Sequence, residues 1–255
     1  MVARIIKVMP LFLLIAVSIL FTACFEDSPT ETFDPVDGFT LGSMTDSRDG
    51  QTYKTVTIGS QTWMAENLNF AYTGVPFYNG AYASDSTSWC YYNEKNNCDI
   101  YGRLYTWSTA MDSAGIVSQK NSAVACGVGS MCKPNSPHQG ICPEGWHVPT
   151  QSEFDILYKM IGGKSTAGTK LKSLSGWDDE KNGIDAFGFG LLPAGFRYDG
   201  GQYMGIGEKV ALWSTSEYGA GAAYVQLFYN VGEYADPVMF SKAEGASLRC
   251  IKDNE

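Results

Sequence analysis

The chain has 255 residues and a formal net charge of −9, and 44% of its residues are hydrophobic and 13% aromatic. This composition is typical of a globular protein rather than a disordered one. The acidic balance argues against nucleic acid as a partner, because an acidic surface repels phosphate backbones.

Residues 1–23 are typical of a secretory signal peptide. Arg4 and Lys7 precede a charge-free apolar run over residues 10–21, and small residues follow it. A basic start, a short apolar segment and small residues before a cleavage point are the marks of such a peptide. The apolar run is shorter than the roughly 20 residues that a membrane-spanning helix needs.

Cys24 is the candidate lipidation site. Phe21-Thr22-Ala23-Cys24 resembles a bacterial lipobox, although leucine is usual where Phe21 stands. The resemblance implies cleavage by signal peptidase II, acylation (palmitate) of Cys24 and anchoring in the cell envelope, at the outer membrane. The alternative is ordinary cleavage near Ala23. Removal of residues 1–23 takes the formal charge from −9 to −11, because they hold two basic and no acidic side chains.

Residues 24–43 are rich in Glu, Asp, Thr and Pro and are predicted to form an acidic flexible tether. Residues 44–255 contain no convincing repeat and no second linker, so they are predicted to form one domain. The first strands of this domain are residues 53–58 and 61–64, joined by a tight turn at Gly59-Ser60.

Six cysteines remain in the domain: Cys90, Cys98, Cys126, Cys132, Cys142 and Cys250. An even number in an exported domain predicts three disulfides, with fifteen possible connectivities. Short spacings favour Cys90–Cys98 and Cys126–Cys132. Cys142 and Cys250 are then left to join the middle of the domain to its last strand. A zinc site is not predicted, because the chain has no C-x-x-C pair and two histidines.

Two helices are predicted. Residues 101–114 place Leu104, Trp107 and Met111 at helical spacing. The second helix begins at a capping box in which Thr150 and Glu153 satisfy each other's backbone N–H, and it ends before Gly162-Gly163. Further strands are predicted over residues 190–197, 211–214, 223–229 and 246–252.

Four motifs occur in order: Trp63-Met64-Ala65-Glu66-Asn67-Leu68-Asn69, Tyr101-Gly102-Arg103-Leu104-Tyr105-Thr106-Trp107, Cys142-Pro143-Glu144-Gly145-Trp146-His147-Val148-Pro149-Thr150 and Ser247-Leu248-Arg249-Cys250. Together they resemble the Fibrobacter succinogenes major paralogous domain, a family of mostly uncharacterised envelope and secreted proteins. The resemblance covers residues 45–252.

A more distant resemblance concerns the W-H-V-P-T-x-x-E-F segment and the final L-R-C segment. Both are similar to segments of the formylglycine-generating-enzyme group, which has a C-type-lectin-like fold. The resemblance implies an α+β domain in which two helices pack on a twisted, mostly antiparallel sheet, with long disulfide-stapled loops. The oxidase members of that group use a copper-binding cysteine pair near the C-terminus. Cys250 is alone in that region, so no cofactor is predicted.

Other catalytic and metal-binding patterns are weak. His147 is either a general base or a satisfied structural histidine, and a buried His147 with a carboxylate partner in a cleft would favour an enzyme. The acidic residues Asp178, Asp179, Glu180 and Asp185 lack a calcium-binding pattern or a fixed glycosidase geometry. No metal site is therefore predicted.

Binding is the predicted class of function. Aromatic residues that stack on sugar rings are candidates in the loop over residues 70–92, and Tyr72, Tyr78, Tyr82 and Trp89 form the candidate ligand platform. The alternative is that these side chains fill the core of the loop. The sequence thus predicts a non-enzymatic, lipid-anchored envelope protein for surface binding or adhesion to a polysaccharide or envelope partner. The alternative is an enzyme of unrecognised type on the same fold.

Overall fold

The computed structural model describes residues 38–72, 88–113 and 126–254. The predicted signal peptide, Cys24 and most of the predicted tether lie outside these residues. The strands are β1 (Phe39–Thr45), β2 (Thr52–Ile58), β3 (Gln61–Met64), β4 (Ser88–Trp89), β5 (Leu104–Tyr105), β6 (Trp146–His147), β7 (Ala194–Arg197), β8 (Tyr203–Ile206), β9 (Lys209–Glu217), β10 (Ala222–Tyr229), β11 (Asp236–Ser241) and β12 (Ile251–Lys252). The α-helices are α1 (Lys95–Tyr101), α2 (Trp107–Ala110), α3 (Gln151–Met160) and α4 (Ala167–Leu171).

The first sheet has the strand order β1-β2-β3-β12-β6 and is antiparallel throughout. It confirms the predicted opening hairpin of β2 and β3. Gly59 occupies the turn with φ +57, and a Cβ there would lie 2.4 Å from the Met160 sulfur. The turn therefore requires glycine both for its backbone conformation and for its approach to α3.

β1 corrects the predicted start of the folded region. It pairs with β2 along its whole length, from Phe39 opposite Ile58 to Thr45 opposite Thr52. Residues 39–43 thus belong to the sheet rather than to the tether, and the boundary predicted at residue 44 falls inside a strand. β1 is a mostly exposed edge strand, so it lacks the apolar pattern by which buried strands are recognised.

The second sheet has the order β11-β10-β9-β7-β8, with β7 and β9 parallel and the other pairs antiparallel. The strands predicted at 211–214 and 223–229 lie within β9 and β10. The strand predicted at 190–197 is confined to β7. In the segment predicted as the last strand, only β12 is regular, but single bridges join Ala246 to Tyr105 and Ser247 to Leu212.

The capped helix is confirmed as α3. Thr150 accepts a hydrogen bond from the Glu153 backbone N–H at 3.1 Å, and Glu153 accepts one from the Thr150 N–H at 2.7 Å. The helix buries Phe154 and Leu157, and the Phe154 ring lies 5.0 Å from that of Trp63. The cap therefore fixes the start of the helix at the predicted residue, and its apolar face packs against the core.

The helix predicted over residues 101–114 is wrong. α1 ends at Tyr101, and the residue after it, Gly102, has φ +75 and donates its backbone N–H to the Cys98 carbonyl. Tyr105 then pairs with Ser88 in a two-stranded sheet, and Thr106 caps the short helix α2. Leu104, Trp107 and Met111 are all buried, but different elements bury them, so an apolar spacing of helical period is met without one continuous helix.

The predicted disulfides are present: Cys90–Cys98, Cys126–Cys132 and Cys142–Cys250. Together with the short helices and the two five-stranded sheets, they make the described chain a sheet-rich α+β domain. In the part of the chain that the structure describes, no helix has the length and apolar character needed to cross a membrane.

Candidate functional site

Three of the four motifs meet beside the end of β3. Leu68 donates its backbone N–H to the Leu248 carbonyl at 2.8 Å and accepts one from Arg103 at 3.0 Å. Met64 donates to the Cys250 carbonyl at 3.0 Å. Segments that lie far apart in sequence therefore share one hydrogen-bonded frame.

Asn67 joins the same motifs through its side chain. Its Nδ2 donates to the Tyr101 carbonyl at 2.8 Å, and its Oδ1 accepts from Arg249 Nε at 2.8 Å. Gly102 allows the close approach, because a Cβ at that position would lie 2.8 Å from the Asn67 Cβ. Asn67 and Gly102, which belong to two different motifs, therefore pack directly against each other.

Arg249 places a buried cation in this frame, with only 1% of the residue exposed. Its Nη2 donates to the Gly190 carbonyl at 3.1 Å, and its Nη1 donates to the Phe189 carbonyl. Burial lowers the pKa of Arg249 to about 9, against the opposing effect of the Asp185 and Glu66 carboxylates. The guanidinium is thus still charged at neutral pH and holds the loop before residue 191 against the motif frame.

A cavity of about 160 Å³ is lined by Asn67, Arg249 and parts of β2, α1 and the 190–192 segment. Most of its side chains are polar. They include Gln51, Thr52, Glu66, Asn69 and Asp99, with Tyr53 and Tyr101 as aromatic members. The volume suits one small polar group rather than a whole drug-sized ligand.

Glu66 and Asp99 bring two half-exposed carboxylates to the cavity. Glu66 accepts the Lys54 backbone N–H at 2.7 Å, and Asp99 accepts from Lys95 Nζ at 2.6 and 2.7 Å. Both carboxylates keep further acceptor capacity. With the side-chain amide of Asn69, they form a set of groups that can hydrogen-bond hydroxyls.

His147 lies elsewhere and does not line this cavity. The residue is buried, its Nδ1 lies 2.6 Å from Asp253 Oδ1, and its Nε2 lies 2.7 Å from Glu153 Oε1. A general base needs a nitrogen that can reach a substrate proton. Both ring nitrogens of His147 are instead engaged by carboxylates. These two contacts connect β6, the start of α3 and the chain after β12.

The two carboxylates also shift the pKa of His147. Burial alone disfavours the charged ring, but the hydrogen bonds and charges of Glu153 and Asp253 outweigh it and raise the pKa above 6.5. Burial likewise opposes ionisation of Glu153, yet its hydrogen bonds with His147 and Thr150 lower its pKa below 4.5.

These shifts set a pH window for stability. The contribution of His147 is complete below pH 6.5 and is lost as the pH rises through its raised folded-state pKa. The contribution of Glu153 is complete above pH 4.5 and is lost as the pH falls through its lowered pKa. We expect His147→Gln to lower the free energy of unfolding by about 2 kcal/mol between these limits, measured by urea unfolding from pH 4 to 8.

His138 provides the matched control. It is buried, with Nε2 3.0 Å from the Met111 carbonyl, and burial lowers its pKa despite that contact. Its contribution is therefore lost as the pH falls, the opposite sign to His147. The unmodified chain should lose stability as the pH rises above 6.5. This loss should persist in His138→Gln and be absent in His147→Gln. The same pH profile in both variants would contradict the assigned role of His147.

The predicted ligand platform is wrong for the two members that the structure describes. Tyr72 is buried and donates its hydroxyl to Asp112 at 2.7 Å. Trp89 is buried in β4 beneath Arg197, whose Cζ lies 4.0 Å from the ring centroid. Tyr78 and Tyr82 lie outside the described residues. Spacing and composition did not distinguish an aromatic side chain that fills a loop core from one that faces a ligand.

The acidic residues considered for calcium lie around the turn at residues 178–180. Asp185 accepts the Gly190 N–H at 2.7 Å and so belongs to the loop that Arg249 holds. Across residues 38–72, 88–113 and 126–254, no group of three or more His, Cys, Asp or Glu side chains is placed to hold a metal ion.

The Asn67–Arg249 pair was not among the predicted site residues. Its signal was present in the sequence, because both residues belong to motifs of the family resemblance. What the motifs did not indicate is that residues 182 positions apart make one contact.

Residues 56–252 match the model of the Fibrobacter succinogenes major domain family. The matched region contains the motif residues that frame the cavity and all six disulfide cysteines. No curated protein and no solved structure matches the chain.

Proposed function

The chain belongs to the Fibrobacter succinogenes major domain family, and from this premise we propose that it is a non-enzymatic binding protein of the cell envelope. The ligand is a polysaccharide or an envelope partner, and the cavity lined by Asn67 and Arg249 receives one polar group of it. The observation that carries the proposal is the convergence of three distant motifs on this cavity. Buried hydrogen bonds hold the polar groups in place before a ligand arrives, which lowers the cost of binding.

A binding role is favoured over catalysis by the state of His147. Its two nitrogens are engaged by Glu153 and Asp253, and it lies outside the cavity. The half-exposed carboxylates and amides of the cavity suit hydrogen bonding to hydroxyl groups.

We propose the C-type-lectin-like architecture as the finer description of the fold. Support comes from β12 near the C-terminus, which pairs with both β3 and β6. It also comes from the capped helix α3, which starts directly after the third motif, and from the Cys142–Cys250 bridge.

The proposed anchor is an acyl group on Cys24, at the outer membrane, and it depends on the sequence alone. The lipobox-like segment and the polar residues after it support this placement. Metabolic labelling with a fatty-acid probe tests the anchor, and label that persists in Cys24→Ser would refute it.

We expect the chain to bind at least one member of a polysaccharide panel, measured with and without calcium. The Glu66→Gln/Asp99→Asn double variant should weaken that binding about tenfold, because it removes two acceptors at the cavity. Asp155→Asn changes an exposed carboxylate on α3 and serves as the control. Failure to bind any polysaccharide would remove this ligand class, and equal binding by the double variant would place the site elsewhere.

A further inference from the structure

Three tyrosines form an aromatic cluster between the turn at residues 91–93 and β8. The ring centroids of Tyr91 and Tyr92 lie 4.7 Å apart, and Tyr203 lies 5.2 Å from Tyr91 and 5.4 Å from Tyr92. Tyr91 is buried at the base, whereas Tyr92 is 61% exposed. Tyr203 is partly exposed on β8, an edge strand. The cluster thus presents rings to solvent on a packed aromatic base.

The backbone under Tyr92 has an unusual conformation. Tyr92 and Asn93 have φ values of +55 and +60. Asparagine tolerates this left-handed region, but a bulky residue such as tyrosine adopts it at an energetic cost. The Cys90–Cys98 disulfide closes the loop around both residues. Such conformations persist where the surroundings impose them, and they concentrate at functional sites.

Neighbouring residues hold the cluster in place. Gly195 in β7 has φ +65, and a Cβ there would lie 2.6 Å from Tyr91 Cε2. The Tyr203 hydroxyl donates to Asn93 Oδ1 at 2.8 Å. The two outer rings are therefore fixed by packing below and by a hydrogen bond at the rim, so little side-chain entropy remains to be lost on binding.

Arg197 adds hydrogen-bond donors beside the rings. It lies opposite Tyr203 in the β7–β8 register, and its Cζ is 4.0 Å from the Trp89 centroid and 5.9 Å from that of Tyr203. Its Nη1 donates to the Tyr198 carbonyl at 3.3 Å, and its Nε is buried without a hydrogen-bond partner. The guanidinium forms no ion pair with any residue that the structure describes. Stacking positions the guanidinium while leaving N–H groups available.

We propose that Tyr92 and Tyr203, whose rings are inclined at 64° to each other, form a stacking platform with two faces for successive sugars of a neutral β-linked pyranose chain, with Asn93 and Arg197 bonding to its hydroxyls. The equatorial hydroxyls of such a chain leave flat C–H faces that pack on aromatic rings, and its edges need polar partners. The formal charge of −9 disfavours polyanionic chains. The inference rests on the proposed binding function, but the platform residues do not line the cavity.

The test uses the full-length chain purified in detergent, with hexaoses of β-1,4-linked glucose, mannose or xylose as probes in calorimetric titrations. We expect Tyr92→Asn and Tyr203→Thr each to weaken binding of the preferred hexaose about tenfold, because contacts of tyrosines that become buried on binding commonly dominate the binding energy. Asparagine suits the left-handed backbone, and threonine suits a strand, so both variants should fold. Tyr218→Asn is the control, because Tyr218 is 60% exposed and lies between β9 and β10, outside the cluster.

The outcomes separate this inference from the cavity proposal. Binding that both platform variants retain, but that Glu66→Gln/Asp99→Asn loses, overturns the platform and leaves the cavity. Binding lost equally in Tyr218→Asn overturns the platform, since the effect is then not local. Preference for a hexaose of galacturonic acid overturns the assignment to neutral chains. If the unmodified chain binds none of these hexaoses, the platform proposal fails, while the cavity is judged on the wider panel.

Discussion

We expect the Cys142→Ala/Cys250→Ala variant to lose about 4–5 kcal/mol of unfolding free energy, because a long loop is no longer closed in the unfolded chain. The two cysteines are 108 positions apart, and both are fully buried. The bridge also lies next to Arg249, and the Cys250 carbonyl accepts the Met64 N–H. Urea unfolding of the oxidised protein measures the loss.

The control is Cys90→Ala/Cys98→Ala, whose bridge spans only 8 positions. The same chain-entropy model gives roughly 2.5 kcal/mol for a loop of this size. Equal losses in the two double variants would contradict the loop-length argument. Peptide mapping without reduction tests the pairing itself, and a free, alkylatable Cys126 or Cys132 would contradict the three bridges.

We expect Arg249→Met to lower the free energy of unfolding by about 3–5 kcal/mol. The change removes the donors that satisfy Asn67 Oδ1 and the carbonyls of Phe189 and Gly190, all near the core. Methionine fills much of the volume but offers no N–H group. Arg249→Lys should be nearly as damaging, because an ammonium cannot reproduce the planar fork. Thermal and urea unfolding measure both variants.

Arg103→Met is the matched control, since Arg103 belongs to a motif in the same frame. Among the described residues, its shortest side-chain hydrogen bond is a contact of 3.4 Å from Nη1 to the Ser88 carbonyl. We expect a loss of about 1 kcal/mol or less. A loss as large as that of Arg249→Met would mean that removing any arginine of the frame destabilises the domain.

Elements with strong local signals were predicted correctly. The β2–β3 hairpin follows from β-branched residues on either side of Gly59-Ser60, and α3 follows from a reciprocal cap and an apolar face. These interactions are made within a few residues, so they act in the same way whatever the rest of the chain does. The two short disulfides belong to the same class, because their cysteines are near neighbours in the chain.

Two elements that depend on distant partners were not predicted. Residues 101–114 carry a helical spacing of apolar residues, yet Gly102 ends α1 against Asn67, and Tyr105 bonds to the backbone of Ala246. β1 is mostly exposed, and it is placed in the sheet by its backbone pairing with β2. Tertiary hydrogen bonds outweigh local propensity in such segments.

The candidate site shows the same division. The motif residues alone predicted the family and placed Asn67, Gly102 and Arg249 in separate segments. Only the folded chain decided that they touch, that Trp89 is buried, and that Tyr92 faces solvent. The physical reason is that burial and contact between distant residues depend on how the sheets and loops pack, whereas caps, turns and signal-peptide composition are properties of neighbouring residues.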